Sequence, residues 1–88
     1  MALRFIGIDP DTGQGNCPTV WVDEEKLEVV VQGWKVVDPL THARCLETGD
    51  IPDHETVVRI PARMASQLTE AARVVEECSR LRAASQVG

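Results

Sequence analysis

The chain is short and acidic, with 88 residues and a net charge of −5. A chain of this length is expected to form one domain, spanning 1–88, and it lacks the basic footprint that direct binding to nucleic acid requires. It holds no stretch long enough to cross a membrane and no signal-peptide core, which predicts a cytoplasmic protein with no membrane contact. Its three cysteines are too few and too odd in number for a disulfide framework, which predicts reduced thiols.

The first predicted element is a strand over Leu3–Ile8. It ends at Asp9-Pro10, because proline cannot donate a hydrogen bond to a sheet ladder. Residues 9–18 are rich in glycine, proline, asparagine and aspartate, which favour turns. The acidic and glycine residues of this loop do not fall at the spacing of an EF-hand, and the loop precedes a strand instead of the helix that a phosphate-binding loop needs. We therefore predict an ordinary connecting loop.

The stretch Thr19–Val37 is the longest β-branched run of the chain and holds both tryptophans. It predicts a hairpin whose strands, Thr19–Val22 and Leu27–Val37, flank an acidic break. A four-residue loop over 23–26 would place Val22 opposite Leu27. Because side chains alternate between the two faces of a sheet, one face is predicted to belong to the core. That face carries Val20, Val22, Leu27, Val29 and Val31.

The opposite face of the hairpin is mixed, and it carries Trp21, Glu28, Val30, Gln32, Trp34 and Val36. The second strand is thus apolar on both sides. One interpretation is a central strand covered on both faces. The other is a docking surface, since exposed apolar patches mark interaction sites.

The second half of the chain predicts a short helix, a strand and a long helix. Asp38-Pro39 is a typical helix start, and Leu40, Ala43 and Leu46 are expected to face inward before Gly49 ends the short helix. A strand follows over Glu55–Ile60. The long helix runs from Ala62 or Ala65 to Ala84, and its tail 85–88 should fray. Its apolar stripe is Met64, Leu68, Ala71, Val75 and Cys78, and Val74 and Leu81 widen it.

These elements predict an α+β fold of order β-β-β-α-β-α. We expect a mainly antiparallel four-stranded sheet, with the long C-terminal helix packed on one face.

Three segments, IGIDPDTGQGNCPTVWVDEE, VVQGWKV and IPDHETVVRIPARM, together resemble a group of short proteins from Streptomyces and related actinobacteria. The resemblance covers the chain from about Arg4 to Met64. Such proteins tend to be encoded beside helix-turn-helix regulators, so the resemblance implies a regulatory accessory role and a protein partner of that class. It brings no catalytic residue to carry over.

Cysteine and histidine side chains offer an alternative function. His42 and Cys45 share one face of the short helix, and a Cys2His2 set suits zinc. The sequence lacks paired CxxC or HxxxH spacing, so zinc binding stays a secondary hypothesis and no cofactor is predicted. The same side chains could supply a nucleophile and a base, but a chain this small leaves little room for a cleft, so we predict no enzyme. The zinc set would be Cys17, His42, Cys45 and His54.

The leading prediction is a small non-catalytic module that binds a partner protein or its own copy. Tryptophan is the residue that most often anchors interfaces. The predicted contact surface is therefore Trp21, Val30, Gln32 and Trp34. Trp34→Ala is expected to weaken association more than it weakens folding.

Overall fold

The computed structural model of the chain describes residues 3–11 and 17–85. The strands are β1 (Leu3–Ile8), β2 (Thr19–Asp23), β3 (Glu28–Gln32), β4 (Trp34–Lys35) and β5 (Val58–Arg59). The helices are α1 (Pro39–Leu46) and α2 (Ala65–Ser85), and a 3-10 turn at Ala62–Met64 leads into α2. The first three strands form an antiparallel sheet in the order β1-β2-β3, and β4 pairs with β5 in a separate antiparallel ladder.

The predicted α+β class, the antiparallel pairing and the C-terminal helix are confirmed, but the predicted four-stranded sheet is wrong. The expected strand Leu27–Val37 is interrupted at Gly33. A side chain at this position would overlap the backbone carbonyl of Arg59, so only glycine lets the two segments approach this closely. Beyond Gly33 the chain leaves the main sheet and forms a ladder with β5, which is two residues long.

The hairpin of β2 and β3 has a four-residue loop, but it lies one residue later than predicted. Asp23 pairs with Glu28 and Val22 with Val29, which shifts the register by two residues. The carboxylate of Asp23 accepts hydrogen bonds from the backbone N–H groups of Glu25 and Lys26 and so fixes the turn. Leu27 takes a left-handed conformation with φ 57° and belongs to the turn. A two-residue shift keeps every side chain on its predicted face.

The core lies between the sheet and α2. Val20 and Val22 of β2 are fully buried and pack against one side of the helix. The other members of this cluster are Met64 of the 3-10 turn and Ala71 and Val74 of α2. The predicted valine face is thus the core face at β2. β2, and not β3, is the central strand, and Val29 on β3 stays 40% exposed.

The apolar stripe of α2 is rotated slightly from the predicted one. Ala71 is buried as expected, Val75 and Cys78 are half-buried, and Val74 takes the deep position in place of Leu68, which is 38% exposed. On the exposed side of α2, Arg73 pairs with Glu70. The frayed tail predicted for 85–88 lies outside the described residues except for Ser85, the last residue of α2.

α1 begins as predicted and packs less than predicted. Its cap is Asp38, whose carboxylate accepts from the N–H of Thr41 at 2.9 Å and from Arg59 at 2.8 Å. A hydrogen bond from the Thr41 side chain, then the bond from Arg59 and then that from the Thr41 N–H, hold the pKa of Asp38 well below its usual range. Leu40 does not face inward: it is 76% exposed, and Leu46 is 43% exposed. The helix has no buried residue because β4 and β5 are too short to offer a face that could cover it.

Candidate interaction surface

The face of the main sheet opposite α2 carries a row of large apolar side chains across all three strands. Phe5 lies opposite Trp21, and Trp21 lies opposite Val30. Cross-strand partners share a face, so these three side chains are neighbours in one row. We call this face the outer face; its apolar members are Leu3, Phe5, Ile8, Trp21 and Val30.

The outer face is open to solvent over most of this row. Phe5 is 58% exposed, Ile8 47% and Val30 36%, whereas Val20 and Val22 on the inner face are fully buried. Trp21 is half-buried, flanked by its two cross-strand neighbours. Holding a row of apolar side chains in water adds nothing to the stability of the fold, so the row is a candidate contact surface.

β1 contributes to this surface because its pairing with β2 is irregular. The register shifts between Phe5 and Gly7, which makes Ile6 a bulge residue. Without this extra residue Phe5 and Ile8 would point to opposite faces; with it, both share the outer face. The apolar alternation of β1 was a signal for this contribution, but the bulge that completes it depends on the partner strand.

The predicted surface residues are only partly brought together. Trp21, Val30 and Gln32 lie on the outer face of the main sheet. Trp34 lies in the β4–β5 ladder opposite Arg59 and is 42% exposed. Gln32 also has a structural role, since its amide donates to the carbonyl of Cys17 at 3.0 Å and holds the start of β2 beside the end of β3.

The structure does not gather the cysteine and histidine residues of the zinc hypothesis. Cys17 precedes β2, His42 and Cys45 lie on α1, and His54 lies in the segment before β5, 3.8 Å from the carboxylate of Glu55. Across 3–11 and 17–85, no three His, Cys, Asp or Glu side chains form a group that could hold a metal ion. The geometry therefore lends this alternative no support.

Two shallow depressions lie elsewhere on the described surface. One, of about 200 Å³, lies beside His42 and Lys35 and is below the usual volume of a ligand pocket. The other, of about 320 Å³, lies between β1 and α2 and is lined by charges of both signs beside Cys78. Its charged lining is Arg4, Glu24, Arg73 and Glu77.

Cys78 is placed as a hydrogen-bond donor. Its Sγ lies 3.5 Å from Oε2 of Glu24, on the turn between β2 and β3. Partial removal from water, this hydrogen bond and the negative charge of Glu24 all raise the pKa of the Cys78 thiol. Since the thiolate is the reactive form, the site disfavours nucleophilic chemistry.

We expect Glu24→Gln to speed alkylation of Cys78 at a fixed pH near 8. The substitution removes a negative charge beside the thiol, which lowers its pKa and increases the thiolate fraction. The measurement is the rate of iodoacetamide labelling of Cys78, followed by peptide mass spectrometry. Glu25→Gln, on the next residue of the same turn, is the control. Equal rates in both variants would contradict this role of Glu24.

The deepest polar contact ties the end of β1 to the start of α2. The side chain of Asp9 is fully buried, and Arg63 donates to both of its oxygens, Nε to Oδ1 at 2.6 Å and Nη2 to Oδ2 at 2.7 Å. A second carboxylate, that of Asp11, lies 3.6 Å from Nε of Arg63. The hydrogen bonds to Asp9 are the main cause of the raised pKa of Arg63. Residues 12–16 of the predicted loop lie outside the described residues. The two aspartates both contact Arg63 and so do not form a free carboxylate pair.

Membrane insertion finds no support in the helices: across the described ranges, neither α1 nor α2 combines the length and apolar character that crossing a bilayer demands. Comparison with known proteins finds no family model, no curated protein and no solved structure that matches the chain. The actinobacterial resemblance therefore stays a prediction.

Proposed function

We propose that the chain is a non-catalytic protein-interaction module whose contact surface is the outer face of the main sheet. The observation that carries the proposal is the row of Phe5, Trp21 and Val30, which spans three strands in solvent. Aromatic side chains in a preformed row are typical anchors of protein interfaces, because they bury a large area at a small entropic cost.

The regulatory accessory role and the cytoplasmic location implied by the sequence belong to the same proposal. The chain carries −5 charge, and Asp23 and Glu28 form the next cross-strand pair along the outer face. A partner with an apolar centre and basic flanks would complement this face. A helix-turn-helix regulator, the class that the resemblance implies, is one protein with basic surfaces.

Phe5→Ser is expected to reduce partner recovery at least about fivefold, because it removes the most exposed aromatic anchor. The measurement is quantitative mass spectrometry of proteins cross-linked to the tagged chain in the cells that produce it. Leu81→Ser is the matched control, since Leu81 on α2 is also 58% exposed. Circular dichroism of both variants checks that each stays folded.

An equal loss of partner recovery in Phe5→Ser and Leu81→Ser, or no loss in either, would contradict the outer face as the contact surface.

Trp34→Ala is tested in the same experiment. A loss of recovery with unchanged thermal stability would extend the surface to the β4–β5 ladder, as the sequence predicts, whereas unfolding would remove Trp34 from it.

A further inference from the structure

One edge of the main sheet is β3 and the other is β1, and the two edges differ. The pairing of β1 is bulged at Ile6, which bends an edge and discourages further pairing. β3 runs for five residues, EVVVQ, in unbroken register with β2. β3 contains no proline, lysine or bulge, which are the usual features that prevent a strand edge from pairing. In the described part of the chain, β2 is the one strand hydrogen-bonded to β3.

The sequence of β3 is complementary to itself when two copies run antiparallel. With a two-fold axis at Val30, each Val29 faces Val31 of the second copy, and each Glu28 faces Gln32 of the second copy. No like charges meet, and the two Glu28 carboxylates stand about 14 Å apart, farther than a Debye length at physiological salt. Every cross-strand position in this register is thus filled by a compatible pair.

The surface of the chain is also larger than a compact monomer requires. The accessible area is 6554 Å², whereas a compact protein of 9.7 kDa exposes about 5,100 Å². The radius of gyration is 15.6 Å, against about 12 Å for a compact chain of 88 residues. The chain therefore exposes about 1,400 Å² more than a compact fold of its mass.

We propose that the β3 edge pairs with β3 of a second copy of this chain, forming a six-stranded sheet across a two-fold axis. This inference rests on the proposed interaction function and deepens it by naming the partner and the contact. Pairing covers Val29 and Val31 on the inner face and brings together the two Val30 side chains on the outer face. The outer face then becomes a continuous surface shared by both copies, with the apolar rows on either side of the axis.

Sedimentation velocity over a concentration series tests this proposal, together with a charge exchange at the edge. We expect a species of twice 9.7 kDa at high concentration. Gln32→Glu should raise its dissociation constant about tenfold, because each copy then sets a glutamate against Glu28 of the other. Adding Glu28→Lys should restore the affinity by turning both contacts into attractive pairs. Ser79→Glu, which adds the same charge on the exposed side of α2, should leave association unchanged.

Each other outcome overturns the edge pairing in a distinguishable way. A 9.7 kDa species at every concentration excludes the second copy as partner, while the Phe5 cross-linking experiment still decides the outer-face function. A dimer that ignores Gln32→Glu, or that Glu28→Lys fails to restore while circular dichroism shows the fold kept without the Gln32–Cys17 hydrogen bond, uses another surface. A dimer abolished by Phe5→Ser but not by Gln32→Glu keeps the proposed function and rejects the edge.

Discussion

Arg63→Met is expected to lower the melting temperature of the chain by about 5–10 °C, because it removes the half-exposed partner of a buried carboxylate. The side chain of Asp9 is fully shielded from water, and Arg63 supplies two short charge-assisted hydrogen bonds to it. Without Arg63 a carboxylate stays buried with neither of these bonds, and the loop after β1 loses its tie to α2. Thermal unfolding followed by circular dichroism measures the effect.

The control for this substitution is Arg73→Met. Arg73 is 59% exposed and pairs with Glu70 and Glu77 on the outside of α2, where ion pairs contribute little. The double variant Asp9→Asn with Arg63→Met should be less destabilised than the sum of the two single variants, since it buries no uncompensated charge. Equal decreases in melting temperature for Arg63→Met and Arg73→Met would show that the Asp9–Arg63 pair stabilises the fold no more than an exposed ion pair does.

Gly33→Ala is the second substitution with a large expected effect. The new Cβ would overlap the carbonyl oxygen of Arg59, and a backbone atom cannot move aside as a side chain can. Overpacking of this kind typically costs about 1–3 kcal/mol, and here the strain falls on the junction between the main sheet and the β4–β5 ladder. We expect β4 and β5 to separate before the main sheet does.

Hydrogen exchange measured by peptide mass spectrometry tests this expectation. Peptides covering β4 and β5 should lose protection in Gly33→Ala, while peptides covering β2 and α2 keep most of theirs. Val37→Ala serves as the control, because Val37 lies just beyond β4 and is 82% exposed, so the smaller side chain neither clashes nor leaves a cavity. A uniform loss of protection in Gly33→Ala would mean that the ladder and the sheet unfold as one unit.

The features predictable from sequence are those that local physics determines. β1 matches its predicted bounds, α1 begins after the predicted cap at Asp38, and α2 ends within one residue of the predicted Ala84. The faces of β2 and β3 were also predictable, since alternation in a strand survives a register shift of two. Each of these follows from residues close together in the chain.

The features missed depend on residues far apart in sequence. The break at Gly33 arises from the approach of Arg59, and the Asp9–Arg63 bond joins segments separated by most of the chain. The bulge at Ile6, which adds β1 to the outer face, depends on how β1 meets β2. The candidate surface was therefore predicted at Trp21, Val30 and Gln32 but not at Phe5, and its extension to Trp34 awaits experiment.

The layout of the core has a consequence for synthesis of the chain. Val20 and Val22 are made early, but the residues that cover them, Met64, Ala71 and Val74, come from the last third of the sequence. The β2–β3 hairpin leaves the ribosome first, and its valine face stays open until most of α2 has followed. The nascent chain therefore presents an unfinished hydrophobic layer until α2 docks.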